Sequence, residues 1–243
     1  MFIIELTNNI FKIYHDIGGF SIMKGSEILA HVDHTLLKPT ATWEQIKELC
    51  QEAISCKTAS VCIPASYVAP VHKEFGNKLN ICTVIGFPLG YDSKEAKITA
   101  AEQAIKDGAK EVDMVINITD AKNGSFEKIT EEIAEIKKAV GNNILKVIIE
   151  VCYLTDEEKK ALCKCVTDAK ADFIKTSTGF GTGGATHEDI KLFAAHIGPN
   201  VKMKAAGGIR TLEDMKQYLA EGCERIGASA AVGLLKDKMD SEV

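Results

Sequence analysis

The stretch KEVDMVINITDAKNGSFEKITEEIAEIKKAVGNNILKVIIEVC, residues 110–152, sets two short apolar runs on either side of a helical pattern. A β-rich run, a helix and a second β-rich run make a parallel βα unit. Working outward, the same alternation starts near residue 28 and gives strand candidates at 28–37, 59–64, 80–87, 110–118, 144–152, 171–177, 201–208 and 223–229. Eight such runs close a barrel, so the expected fold is α/β, a single-domain TIM (β/α)8 barrel over residues 27–243 after an N-terminal extension, residues 1–26. Helix starts support the count. Thr42 with Gln45, Thr155 with Glu158 and Thr211 with Asp214 each place a hydroxyl three residues ahead of an acid or amide, the pattern of a capping box. An open doubly wound sheet is the competing architecture, but no GxGxxG follows the first strand.

The 243 residues, 46% of them hydrophobic, can bury a large core. A net charge of −5 without a basic block argues against nucleic acid, and no apolar run reaches the length of a membrane span. Eight cysteines sit mostly inside apolar segments without CxxC pairs, which reads as core packing in a reducing, cytoplasmic compartment. The opening MFIIELTNNIFKIYHDIGGF lacks a basic leader and a clean apolar block, so it is not read as a signal peptide. Its aromatic texture leaves two readings open for residues 1–22: an accessory helix on the barrel, or a segment ahead of a natural start at Met23. A Phe-rich segment there would also offer a contact for a homodimer.

Strand residues alternate between the helices outside and the barrel interior, so polar residues can be sorted by parity. Val112, Met114, Ile116 and Ile118 make one apolar face of the fourth run, leaving Glu111, Asp113, Val115 and Asn117 on the other. The same sorting sends Lys146, Ile148 and Glu150 inward on the fifth run and Lys175 inward with Phe173 and Ser177 on the sixth. Lys202 and Lys204 share the inward face of the seventh, with Lys202 near the strand start and suited to a rim ion pair. Asp33 and Thr35 join them from the first run. A buried ion costs several kcal/mol to desolvate, so charges aimed inward from adjacent strands point to an active site at the C-terminal mouth.

An amine attacks a carbonyl only when neutral, and an ordinary lysine with a pKa of about 10.4 is neutral to only about one part in a thousand near pH 7.4. A second cation and partial desolvation both favour the neutral form. Lys175 and Lys204, at the ends of adjacent strands, supply such a pair, although parity does not say which is the nucleophile. The alternative is a phosphate clamp, with both lysines protonated around an anion. AAGGIRT after the seventh strand and GASAAVG after the eighth stand where barrels often bind phosphate with backbone N–H groups. Metal ligation fits poorly, because His31 and His34 lie three apart on a strand and face opposite sides.

The segments HVDHTLLKPTAT, SVCIPASYV, CTVIGFPLG, EVDMVINI, LKVIIEVCYLT, DFIKTSTGFGTGGAT and VKMKAAGGIRT, in this order, resemble the deoxyribose-phosphate aldolases from about residue 27 to 235. The resemblance implies a class I aldolase, a lyase that cleaves 2-deoxy-D-ribose 5-phosphate reversibly into D-glyceraldehyde 3-phosphate and acetaldehyde. It implies that Lys175 forms the Schiff base, that Lys204 lowers its pKa, and that Asp113 works with ordered water in proton transfer. It places Lys146 as a further active-site lysine and Asp33, Thr35 and Cys62 as pocket-lining residues. Thr178, Gly179, Gly207, Gly208 and Ser229 align with phosphate-binding loops. No cofactor and no metal are implied, since an iminium nitrogen is itself the electron sink, and Asp113 with Glu150 would offset the excess positive charge. The partners implied are a small sugar phosphate and aldehydes, with no nucleic acid and no membrane. Two positions depart from the family pattern: Ala230 where a second serine is common, and Ala206 in MKAAGG. Other readings remain: a different lysine-dependent aldolase, a phosphate-binding isomerase, or a silent sugar-phosphate sensor on the same barrel.

Overall fold

The computed structural model describes residues 23–243. The proposals of an accessory helix, a start at Met23 and a dimer contact fall on residues 1–22 and lie outside the described residues. The parallel strands are β1 (Val32–Thr35), β2 (Ser60–Ile63), β3 (Ile81–Ile85), β4 (Glu111–Val115), β5 (Ile144–Ile148), β6 (Phe173–Lys175), β7 (Lys202–Ala206) and β8 (Cys223–Ala228). Each pairs with its chain neighbours, and β8 closes onto β1, with Val32 opposite Ile226 and Asp33 opposite Gly227. The closed (β/α)8 barrel agrees with the sequence reading, and each of the eight strands falls within its candidate run.

The helices are α1 (Gly25–Leu29), α2 (Trp43–Cys56), α3 (Val68–Phe75), α4 (Lys94–Lys106), α5 (Ile118–Lys122), α6 (Phe126–Val140), α7 (Asp156–Asp168), α8 (His187–His196), α9 (Leu212–Ala220) and α10 (Ala231–Leu235). Capping fixes several of their starts. Thr42 and Thr155 form complete capping boxes with Gln45 and Glu158, while Thr211 provides the hydroxyl half by accepting from Asp214 N–H. On α6 the buried Ile129, Ile133, Ile136 and Val140 recur at helical spacing, and they join one core with the outward-facing Val112, Met114, Leu145 and Val147. That burial holds the charged parity of the same strands toward the barrel axis. Among the described residues no helix is long and apolar enough to cross a membrane.

The first strand candidate needs a correction. Ile28 and Leu29 belong to α1, and the strand starts only at Val32. Both residues are fully buried, so their apolar character fits either period. What selects the helix is a local cap together with contacts to the far end of the chain: Lys24 N–H donates to Glu27 Oε2 at 2.7 Å, and Gly25 N–H bonds Ser241 O at 3.2 Å, with Gly25 tight against the backbone of Lys238. The helix also spans the expected boundary between residues 26 and 27, tied to the C-terminal end of the chain by the Lys24–Glu242 bridge.

Candidate active site

Parity delivered the charges, and strand register brings them together. Asp113 lies opposite Lys146, and Lys175 opposite Lys204. Lys204 in turn lies opposite Arg225, beside a register shift at Met203/Lys204. Asp113 is the hub. Its Oδ2 accepts from Lys175 Nζ at 2.7 Å and from Lys204 Nζ at 2.8 Å, while its Oδ1 accepts from Lys146 Nζ at 2.8 Å and from the Cys82 thiol at 3.1 Å. Asp33, across the β8–β1 seam, pairs closely with Lys204 and accepts from Ser60 Oγ at 2.7 Å and Arg225 at 2.5 Å. Gly227 leaves room for Lys204, whose Cε would stand 3.3 Å from a Cβ built there.

These groups are buried, and their ionisation follows from their partners. Burial alone would raise Asp113, but the ammonium groups of Lys146, Lys175 and Lys204 outweigh it and hold the carboxyl well below the usual range. Asp33 is held far down in the same way, by Lys146, Lys204 and Arg225 against burial. Burial opposes the charge on Lys204, yet Asp113 and Asp33 overcome it and keep that ammonium above the ordinary lysine value. Lys146 is likewise held well above it, its burial offset by Asp113, Asp33 and Glu111. A hydrogen bond from Cys82 lowers the Cys62 thiol, while burial raises Cys82.

Above the cluster a cavity of about 490 Å³ opens between the C-terminal ends of β1, β6, β7 and β8. Lys175 lines it together with Thr35, Thr178 and Gly179, and Gly207, Gly208 and Ser229 complete the lining. Asp33, Cys62, Asp113, Lys146 and Lys204 are buried in the barrel and do not line this space, whereas Thr35 does. Thr35 reaches the wall because it stands two residues further along the same strand face.

Glu150 also organises the loop above the site. It takes a left-handed φ of 56° at the end of β5, and its carboxylate accepts from Thr178 N at 3.1 Å and, more closely, from Thr178 Oγ1. Burial raises this carboxyl, while hydrogen bonds from Thr178 and the nearby charge of Lys175 act to lower it, so Glu150 both holds the β6 loop and attracts Lys175. Thr178 Oγ1 accepts from Phe180 N at 3.0 Å as well, so the hydroxyl organises its own loop. Gly179, Gly207 and Gly208 all have φ between 78° and 86°, the left-handed region open to glycine. Gly184 lies so close to Gly207 O that a Cβ there would clash, so the two loops meet backbone to backbone. Lys202 bridges Glu224 at 2.7 Å on the rim, the structural role expected of it.

The sequence reading missed Arg225, Arg210 and Lys38. Arg210 and Lys38 line the cavity from the loops after β7 and β1. The inward parity of Arg225 in CERIGAS, two residues before Gly227, was a usable signal. Three ligand-type atoms do converge at Cys62, Cys82 and Asp113. The Asp113 carboxylate already meets three ammonium groups, however, a setting that repels a dication.

Residues 27–237 match the model of the DeoC/LacD family aldolases. The chain is 65% identical over 214 residues to the deoxyribose-phosphate aldolase of Clostridium botulinum (strain Alaska E43 / Type E3), covering 88% of this chain and 97% of that one. It is 54% identical over 211 residues to the deoxyribose-phosphate aldolase of Clostridioides difficile (strain 630), covering 87% and 96%. Among solved structures it is similar to the tetrameric deoxyribose phosphate aldolase from Aeropyrum pernix, with a TM-score of 0.82 at 29% identity, covering 88% and 91%.

Proposed function

The chain belongs to the DeoC/LacD family of aldolases, and from that membership we propose that it is a deoxyribose-phosphate aldolase working through a Schiff base on Lys175. It cleaves 2-deoxy-D-ribose 5-phosphate reversibly into D-glyceraldehyde 3-phosphate and acetaldehyde. The observation that carries the site assignment is the place of Lys175: of the lysines gathered at Asp113, it is the one on the cavity wall. Lys204 is 1% exposed and held as an ammonium by two carboxylates, which suits a fixed charge and not a nucleophile.

In the cleavage direction the neutral amine of Lys175 adds to C1 of the open-chain sugar, and loss of water gives an iminium. Acetaldehyde retains two carbons, so the bond that breaks is C2–C3. A base takes the proton from the C3 hydroxyl, C3 becomes the aldehyde of the departing triose phosphate, and the electron pair moves through C2 to the iminium nitrogen as an enamine. Protonation of C2 and hydrolysis then free acetaldehyde and Lys175. Because the nitrogen accepts the electrons, this sequence draws on no cofactor.

Asp113 is assigned the proton traffic through ordered water, since one carboxylate touches Lys175, Lys204 and Lys146. Its depressed ionisation makes it a weak base at rest. Conversion of Lys175 to a neutral amine removes one of the charges responsible. The substrate phosphate is placed against Gly179, Gly207, Gly208 and Ser229, with Arg210 and Lys38 as counter-ions on the wall. Thr35 lines the sugar side of the space, Lys146 and Asp33 buttress the cluster, and Cys62 packs beneath. Ala230 and Ala206 contribute no hydroxyl at this site. A homodimer and a cytoplasmic location complete the proposal, and light scattering on the purified protein checks the first.

The test is reductive trapping with acetaldehyde and borohydride, followed by peptide mapping, alongside acetaldehyde release from the deoxyribose ester compared with ketose phosphates. An N-ethyl group on Lys175 and release from the deoxyribose ester are expected. Ligand binding without any adduct would identify a sensor instead.

A further inference from the structure

The charged side chains beneath Lys175 close into a ring. Arg225 donates to Asp33 Oδ1 at 2.5 Å, and Asp33 Oδ2 pairs with Lys204. Lys204 reaches Asp113 at 2.8 Å, and Asp113 meets Lys146 at 2.8 Å. Lys146 pairs with Glu111 at 2.5 Å, and Glu111 returns to Arg225 at 2.8 Å. Cation and carboxylate alternate throughout, three of each, and a 3.5 Å contact from Lys146 to Asp33 braces the middle. Lys175 is attached from outside by its contact with Asp113 Oδ2, an oxygen Lys204 already shares.

With its six members charged, the ring is neutral. The ammonium of Lys175 is then a seventh charge whose ion pair is with a ring carboxylate, Asp113, while Glu150 attracts it from beyond ion-pair distance. We propose that Arg225 and Glu111 are positioning residues for Schiff-base formation: they close this ring, balance its charge, and so leave Lys175 as the surplus cation that gives up its proton. Neither residue lines the cavity, and each acts through its ion pairs, Arg225 on Asp33 and Glu111 on Lys146. The inference rests on Lys175 being the Schiff-base lysine.

Other groups facing the ring bring little competing charge. From β2, Ser60 donates to Asp33 and Cys62 packs near Cys82 of β3, whose thiol burial keeps protonated. Glu150, at the end of β5, is bonded to Thr178 and also attracts Lys175, an influence common to every variant compared below. Cys62 is the one of these whose thiol is made more acidic, by its hydrogen bond with Cys82, and the measurement is therefore repeated in Cys62→Ser.

The experiment compares the pH dependence of turnover in the full chain for Arg225→Gln, Glu111→Gln, Arg225→Lys and the double glutamine variant. Gln keeps a hydrogen-bonding group at either position and removes the charge. Arg225→Gln leaves the ring negative and is expected to move the acid limb of the profile up by about one pH unit, the order for one charge a short distance away at an effective dielectric of about 20. Glu111→Gln is expected to move it down by a similar amount, the double variant to return it, and Arg225→Lys to hold it in place. A purely structural role would lower rate or stability without opposite signs, so shifts of the same sign, or none, overturn the proposal. If Arg225→Gln does not fold, an unshifted Glu111→Gln is sufficient to overturn it. Trapping of acetaldehyde on Lys175 in the unaltered protein separates this failure from failure of the functional reading, whose loss would take the inference with it.

Discussion

Replacing Lys204 by methionine removes the cation next to Lys175 while keeping an unbranched side chain in the same space. Both lysine nitrogens lie within hydrogen-bond reach of Asp113 Oδ2, at 2.7 and 2.8 Å, so they stand no further than about 5.5 Å apart. At that separation and an effective dielectric of about 20, two positive charges repel by about 3 kcal/mol, equivalent to about two pH units. The carboxylates are not orphaned: Asp113 keeps Lys146 and Lys175, and Asp33 keeps Arg225 and Ser60. Lys204→Met is therefore expected to fold, to be slow near neutral pH, and to regain activity as pH rises, with the acid limb of kcat/KM displaced upward by about two units. The assay is acetaldehyde release from deoxyribose 5-phosphate over a wide pH range, with circular dichroism at each pH as the control for folding. An unmoved acid limb would refute the electrostatic role. So would a loss that high pH does not recover, because it would make Lys204 a proton donor in its own right.

Other perturbations separate chemistry from scaffold. Lys175→Ala is expected to lose borohydride trapping and turnover together, and residual adduct on the barrel interior would reassign the nucleophile. Asp113→Asn should remain folded, because Lys146 and Lys204 keep Glu111 and Asp33 as partners, yet turn over poorly; near-normal turnover would remove Asp113 from the mechanism. Gly184→Ala sets a methyl against the carbonyl of Gly207 and is expected to destabilise by about 1–3 kcal/mol and to raise KM more than it lowers kcat, as measured by urea unfolding and steady-state kinetics. Away from the site, Lys97 is buried and reaches Glu132 Oε1 and Val115 O at 2.9 Å, so Lys97→Met should cost about 3–5 kcal/mol by stranding a buried carboxylate, with Lys97→Met/Glu132→Leu recovering much of it.

Some of this chemistry was readable from the chain itself. The period-two alternation in EVDMV and ILKVI told which side chains face the axis, and the glycines after β7 told where the backbone could approach an anion. Alternation is a local property, so it survives without knowledge of the partners. Residues 28 and 29 show its limit, since two buried apolar residues satisfy a helix as well as a strand, and contacts with the far end of the chain choose between them. The same limit left Lys175 and Lys204 equivalent by parity.

The sequence alone determined eight βα units and an inward set of charges, because hydrophobic period and side-chain direction are fixed within each strand. Only the tertiary structure decided which charges meet. Closure of β8 on β1 sets Arg225 and Lys204 against Asp33, 192 and 171 positions away in the chain, and register places three lysines on Asp113. Ion pairing depends on distances of a few ångströms across strands, which parity does not encode, so the surplus charge at Lys175 exists only once the barrel is closed.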